Sequence, residues 1–411
     1  MGHYDDLETR KPEERERALF AMLPGLIEHA KTHTRYFARL LRDVDPASIR
    51  DRRTLSALPV TRKSDLIALQ KQDPPFGGMT AVPLGALGRV FSSPGPIYDP
   101  QGRTGDFWRF GRALWAAGFR PGDLIHNTFS YHFTPAGFMI DLAAQAIGCA
   151  VFPAGVGQTE MQVQAIADLR PAGYAGTPSF LKIILEKADE LQADVSSLKR
   201  ALVSGEALLP AVREMLQARG IEVRQCYGTA DVGLIAYETV PMNGLVLDEG
   251  VILEIVRPGS ADPVAEGEVG EVVVTILAPE YPLIRFGTGD LSAFLPGTSA
   301  CGRTNRRIKG WMGRADQATK VKGMFVHPTQ VGQLVKRHPE IVKARLCVEH
   351  DTQRNDRMTL HCEVHETSGA LTEAIALSLR EITKLRGEVK LVAPGSLPND
   401  GKVIDDLRKY D

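Results

Sequence analysis

The chain is poor in cysteine: Cys149, Cys226, Cys301, Cys347 and Cys362 are all it has in 411 residues, and no two form a CxxC pair. An odd number at such spacing excludes a disulfide framework and fits reduced, buried thiols. His361 beside Cys362 lacks the two further ligands that a tetrahedral zinc site needs. Net charge is almost absent, with 49 Lys and Arg against 50 Asp and Glu. No overall field therefore draws in nucleic acid or an anionic membrane, and the expected partners are small molecules. A long apolar run is also missing, because the richest stretch, residues 133–156, is broken by Asp141, Gln145 and several glycines. Residues 1–14 are polar and lack the apolar segment of a secretory signal, so the expected location is the cytoplasm. No internal repeat or low-complexity segment occurs.

What is present is an ordinary folded composition, 43% hydrophobic and 24% charged, in a chain long enough for two or three domains. Apolar positions Leu19, Leu23, Leu26, Ile27 and Ala30, then Phe37, Leu40 and Leu41, recur at helical spacing, so the chain opens with one or two amphipathic helices. From residue 87 to 240, short apolar runs alternate with helical patterns, among them a helix expected over 107–118. Such alternation implies a mainly parallel sheet covered on both faces. Residues 241–300 carry β-branched runs separated by Pro, Gly and Asp, which read as a β subdomain. After Gly313 the pattern is helix, strand, strand, helix, strand, a small α+β unit. The expected organisation is an α/β domain over 1–312 followed by a smaller mobile α+β domain over 313–411, with a hinge near 314–316.

Four segments carry chemistry. Gln225-Cys226-Tyr227-Gly228-Thr229-Ala230-Asp231 sets a glycine, a hydroxyl and a carboxylate at the end of an apolar strand, the place where parallel sheets bind ligands. In Pro282-Leu283-Ile284-Arg285-Phe286-Gly287-Thr288-Gly289-Asp290, glycines allow close backbone approach, and the carboxylate can accept from two ribose hydroxyls. Gly313-Arg314-Ala315-Asp316, followed by Lys320, Lys322 and Gly323, falls where the two domains join. Leu397-Pro398-Asn399-Asp400-Gly401-Lys402 places one lysine on a glycine-containing loop. Each alone is compatible with a turn, a charged linker or a solvated lysine.

Together, in this order, the four resemble the adenylate-forming superfamily of acyl-CoA synthetases. The N-terminal helices, the segments Gly157-Gln158-Thr159-Glu160 and Leu58-Pro59-Val60-Thr61-Arg62-Lys63, and the short length resemble its phenylacetate-CoA ligase branch. The resemblance implies an ATP-dependent ligase that makes an acyl-adenylate and then a CoA thioester, with Mg²⁺ as cofactor and ATP and CoA as co-substrates. It implies that Tyr227 and Gly228 border the adenine beside Ser204, Gly205 and Glu206, that Thr229 meets the α-phosphate, and that Asp290 grips the ribose. Arg314 is then assigned to phosphate, Asp316 to the hinge, Gly323 to the CoA-facing side of the rotated small domain, and Lys402 to the carboxylate and α-phosphate. Asp231 stands where the family usually has a Glu that helps to hold Mg²⁺.

One segment departs from the family. The phosphate-cradling loop, rich in Ser, Thr and Gly, is here Ser92-Ser93-Pro94-Gly95-Pro96-Ile97-Tyr98, and its two prolines remove two amide donors. Ser92, Ser93 and Gly95 are what remains to meet phosphate. The acid is expected near an aromatic cluster of Tyr131, His132 and Phe133 with Gly155 behind it, which suits an aryl or arylacetic acid. Two rivals stay open: an adenylating enzyme that passes the acyl group to a carrier-protein thiol or an amine, and a non-catalytic homologue that binds an aryl acid, acyl-CoA or nucleotide. The sequence leaves the oligomeric state open, a homodimer included.

Overall fold

A computed structural model describes residues 2–256, 261–315, 319–326, 328–351, 353–398 and 403–408. The chain divides into two compact units, Met1–Met312 and Gly313–Asp411.

In the first unit, the alternating segments build a nine-stranded sheet. Its parallel half runs in the order Glu222–Thr229, Arg200–Val203, Gly173–Gly176, Leu124–Asn127, Ala150–Pro153. The helix Pro178–Leu191 shows why the covering layers form where they do. Thr177 caps it by accepting from the Phe180 amide, Pro178 fits the first turn, and Leu181, Ile184, Leu185 and Ala188 make one buried stripe at helical spacing. The apolar stretch at 133–156 resolves into a helix, Ala136–Ala146, and the edge strand Ala150–Pro153. No helix among the described residues is long and apolar enough to cross a membrane.

One expectation is corrected. The helix anticipated over 107–118 is confined to Gly111–Ala116, because Arg109 adopts a left-handed conformation (φ 65°) that breaks a helical run. The β strands of residues 241–300 divide between two sheets. Val251–Val256, Gly270–Ile276 and Phe286–Ser292 pair antiparallel in a second sheet that Thr61–Arg62 joins in parallel. The flanking strands Leu245–Leu247 and Phe294–Leu295 instead extend the large sheet. Non-local pairing contributes to this, since Arg307–Ile308 bridges Leu245–Leu247 to Phe294–Leu295, while Leu245–Leu247 pairs on its other side with Gly233–Glu238.

The second unit is a four-stranded sheet, ordered Glu388–Val392, Asp356–Val364, Ile341–His350, Ile404–Asp406, with helices Pro328–Arg337 and Gly369–Thr383. A separate hairpin pairs Thr319–Val321 with Met324–Val326.

All five cysteines are free thiols. Burial opposes ionisation of Cys301, but hydrogen bonds with Ser299 Oγ (3.1 Å), Thr239 Oγ1 (3.4 Å) and Arg303 Nη1 (3.5 Å) outweigh it and bring the thiol down to about 7. Burial pushes Cys149 up to about 11, and Cys226 and Cys362 up to about 12. Because the thiolate is the reacting form, iodoacetamide at pH 7 is expected to label Cys301 first, at a rate that climbs through neutrality. Peptide mapping that finds another cysteine labelled first would refute this ordering.

Candidate nucleotide and acid site

The site forms at the carboxyl ends of the parallel strands, where backbone donors and acceptors leave the ladder and side chains can converge. Glu222–Thr229 delivers Tyr227, Gly228 and Thr229 there, and the turn after it delivers Asp231. Ser204 follows the adjacent strand, and its hydroxyl donates to the Cys226 carbonyl (2.9 Å), tying the two strand ends together. Gly205 takes φ 84°, a conformation that favours glycine, and Glu206 accepts from the Ser179 amide at the start of a helix (2.7 Å).

The second sheet supplies Asp290. Its carboxylate is 6% exposed and accepts from Tyr227 Oη (2.8 Å) on one oxygen and from Trp311 Nε1 (3.0 Å) on the other. These two donors fix the orientation of the carboxylate, an acceptor-only group of the kind that can hold a diol. Trp311 was not singled out in the sequence; a tryptophan twenty-one residues beyond the carboxylate gives no periodic signal.

Two further residues join Asp231. Lys63 Nζ lies 2.5 Å from Asp231 Oδ2, across 168 residues of sequence. Asp99, on the strand Ile97–Gln101, is fully buried next to Asp231, and burial together with the Asp231 charge holds its carboxyl well above the usual range, against the pull of Lys63. The only sequence signal for Lys63 was its place in a segment noted for resemblance. Asp99 gave none.

The expected phosphate loop is a tight antiparallel hairpin, Arg89–Ser93 with Ile97–Gln101, in which Ser92 faces Tyr98 and Ser93 faces Ile97. The amide of Ser92 donates to Phe133 O (2.9 Å), and that of Tyr98 donates to Gln70 Oε1 (2.8 Å). These outward amides are therefore committed, Pro94 and Pro96 have none, and Gly95 is left with the amide at the tip. In this hairpin few backbone donors remain for phosphate.

The anticipated aromatic cluster divides. Asn127 Nδ2 donates to Tyr131 Oη (2.7 Å), and the Gly155 amide donates to Asn127 O (3.1 Å), so Tyr131 and Gly155 meet at one strand end. Phe133 is 70% exposed, with φ 63° and the edge of His132 against its ring (4.8 Å). The left-handed turn that offers its carbonyl to Ser92 directs the ring outward.

In the second unit, Gly323 forms the turn of the hairpin with φ 83°, and the Arg314 guanidinium lies over the Phe325 ring (5.4 Å). Asp316 and Lys402 lie outside the described residues. No group of three or more His, Cys, Asp or Glu able to hold a metal ion occurs among the described residues. The buried oxygens of Asp231 and Asp99 nevertheless suit an ion that completes its shell with phosphate and water.

Comparison with known proteins identifies the frame. The AMP-binding enzyme family model matches residues 107–276. The chain is 31% identical to the phenylacetate-coenzyme A ligase of Thermus thermophilus over the full length of both, and 30% identical to that of Escherichia coli over 98% of this chain and 97% of the relative. Its fold matches 2-hydroxyisobutyryl-CoA ligase, solved with 2-HIB-AMP and CoA in the thioesterification state, at a TM-score of 0.84 and 24% identity over 98% of this chain and 92% of that one. With the strand-end site in place and full-length similarity at this level, the chain belongs to the phenylacetate-coenzyme A ligase family of AMP-binding enzymes.

Proposed function

We propose that the protein activates a carboxylic acid with ATP and passes the acyl group to coenzyme A. The carboxylate oxygen attacks the α-phosphorus, pyrophosphate leaves, the CoA thiolate then attacks the acyl carbon, and AMP departs. The arrangement that carries this reading is a pair of buried carboxylates: Asp290, within the strand Phe286–Ser292 and oriented by Tyr227 and Trp311, assigned to the ribose, and Asp231, one turn beyond Thr229. Tyr227, Gly228, Ser204, Gly205 and Glu206 are assigned to the nucleotide, Thr229 and Arg314 to phosphate, and Lys402 to the developing charge on the phosphoryl oxygens. Asp231 is assigned to Mg²⁺, which when bound neutralises the polyphosphate. Asp316 is assigned to the hinge and Gly323 to the CoA-facing side of the small domain. Family membership supports an aryl or arylacetic acid as substrate, with Tyr131 and Gly155 at its binding end, and the use of ATP and CoA is consistent with a cytoplasmic reaction.

One observation favours the rival binding-protein reading, namely the hairpin whose amides are already committed. ATP–pyrophosphate exchange with aromatic and short aliphatic acids, followed by CoA-dependent AMP release, separates the possibilities. Acid-dependent exchange supports adenylation, and AMP release that requires CoA identifies the acceptor. Nucleotide binding without exchange for any acid would sink the ligase reading.

The ribose assignment has its own test. Asp290→Asn gives up the charge that strengthens each hydrogen bond it accepts, so KM for ATP is expected to rise about tenfold with little change in KM for the acid. Equal changes in both would point to general disruption instead.

A further inference from the structure

Asp99 is fully buried, and neither of its carboxyl oxygens has a well-formed hydrogen bond; the nearby Ser93 hydroxyl eases the carboxyl's burial but donates to the Ile97 carbonyl (3.4 Å). A buried carboxyl without a donor is costly, and such groups persist where a ligand supplies what the protein does not. Its surroundings specify the ligand. The Asp231 carboxyl is within hydrogen-bond reach of it; Asp231 Oδ1 has no partner, while Oδ2 is held by Lys63 at 2.5 Å. The Tyr281 hydroxyl, in a residue 1% exposed, is also without a hydrogen-bond partner and lies near enough to feel the charge of both carboxyls. Unsatisfied oxygens from three buried side chains thus share one neighbourhood, with no imidazole or thiol among the three, which is the donor set of a hard divalent cation.

We propose that Asp99 and Asp231 together ligate the divalent cation that accompanies ATP, with the Tyr281 hydroxyl as a further oxygen donor. Mg²⁺ is commonly held by one or two carboxylates plus substrate phosphates and water, so two carboxylates suffice. The charges also suit the task. A bound divalent ion favours the ionised form of both carboxyls; with Lys63 the cluster then carries one net positive charge, which attracts polyphosphate. The hairpin, with few backbone donors left for phosphate, would then contribute through Asp99, by way of the ion. The inference rests on the adenylating reading and adds to it a ligand from the hairpin.

The test is Mn²⁺ binding, followed by electron paramagnetic resonance with α,β-methylene-ATP present, in wild type, Asp99→Asn, Asp99→Ser and Asp231→Asn, each checked for folding by circular dichroism. The two Asp99 variants remove buried charge with little change in volume, so at least one is expected to fold. Ligation predicts that Mn²⁺ affinity in the presence of nucleotide falls about tenfold or more in the Asp99 variants, as in Asp231→Asn, with an altered Mn²⁺ spectrum. Wild-type affinity in a folded Asp99 variant, with Asp231→Asn impaired, would overturn the Asp99 assignment alone and leave it a buried packing carboxyl. Absence of Mn²⁺–nucleotide binding in wild type would overturn it together with the adenylating reading.

Discussion

Replacing Arg285 with leucine is expected to destabilise the Met1–Met312 unit by about 3–5 kcal/mol, the range found when one partner of a buried ion pair is removed. Arg285 is fully buried. Its Nε and Nη2 bind Glu254 at 2.9 and 3.0 Å, Nη1 donates to the carbonyls of Ser56 (2.7 Å) and Leu58, and Nη2 also reaches Ala261 O (2.9 Å). Leucine fills much of the space but strands the Glu254 carboxylate and three carbonyls. Burial already lifts Glu254 above its ordinary value, and Arg285 is the leading force opposing that rise. For a unit of this size the loss corresponds to a drop in Tm on the order of 10 °C. Arg285→Leu combined with Glu254→Leu should recover part of it, because no unpaired charge is then left inside. A single variant melting within 2 °C of wild type would refute the keystone role. The residue sits in the motif that delivers Asp290, yet its contacts join the second sheet to the chain before Thr61, so its work is architectural.

The largest effect on chemistry is expected in the adenylating half-reaction. Asp231→Ala removes a carboxylate assigned to the metal and releases the Lys63 ammonium it holds; Lys402→Ala removes the cation assigned to the transition-state charge. Each should lower ATP–pyrophosphate exchange by about 10²–10³, the scale for deleting one preorganised electrostatic partner. Thioester formation from preformed acyl-adenylate needs neither group in these roles and should survive. The comparison is made by supplying synthetic acyl-AMP and CoA and following AMP release. Loss of both half-reactions in a folded variant would remove the division of labour between these residues.

How much of this could be read from the chain alone differs by segment. Strand and helix alternation over 87–240, the strand character of the β-branched runs Val251–Val256 and Gly270–Ile276, and the α+β character of the second unit follow from local periodicity, which each segment carries in its own residues. The spacing of Tyr227, Thr229 and Asp231 along one strand end was likewise legible, since consecutive residues of a strand must emerge together. Periodicity misjudged residues 107–110, because the left-handed backbone at Arg109 is held by tertiary hydrogen bonds from its guanidinium to Asp248, Val232 O and Leu234 O.

The sequence by itself determined the kind of fold, the strand end that carries the nucleotide motif, and the loss of two amides in the phosphate hairpin. Only the tertiary structure decided what completes the site. Trp311 on Asp290, Lys63 and Asp99 on Asp231, and Gln70 and Phe133 on the hairpin are all brought in from other segments. The physical reason is that backbone periodicity is written in neighbouring residues, whereas the pairing of a buried charge is settled by whichever side chain the fold brings within hydrogen-bonding distance, however far away it lies in the chain.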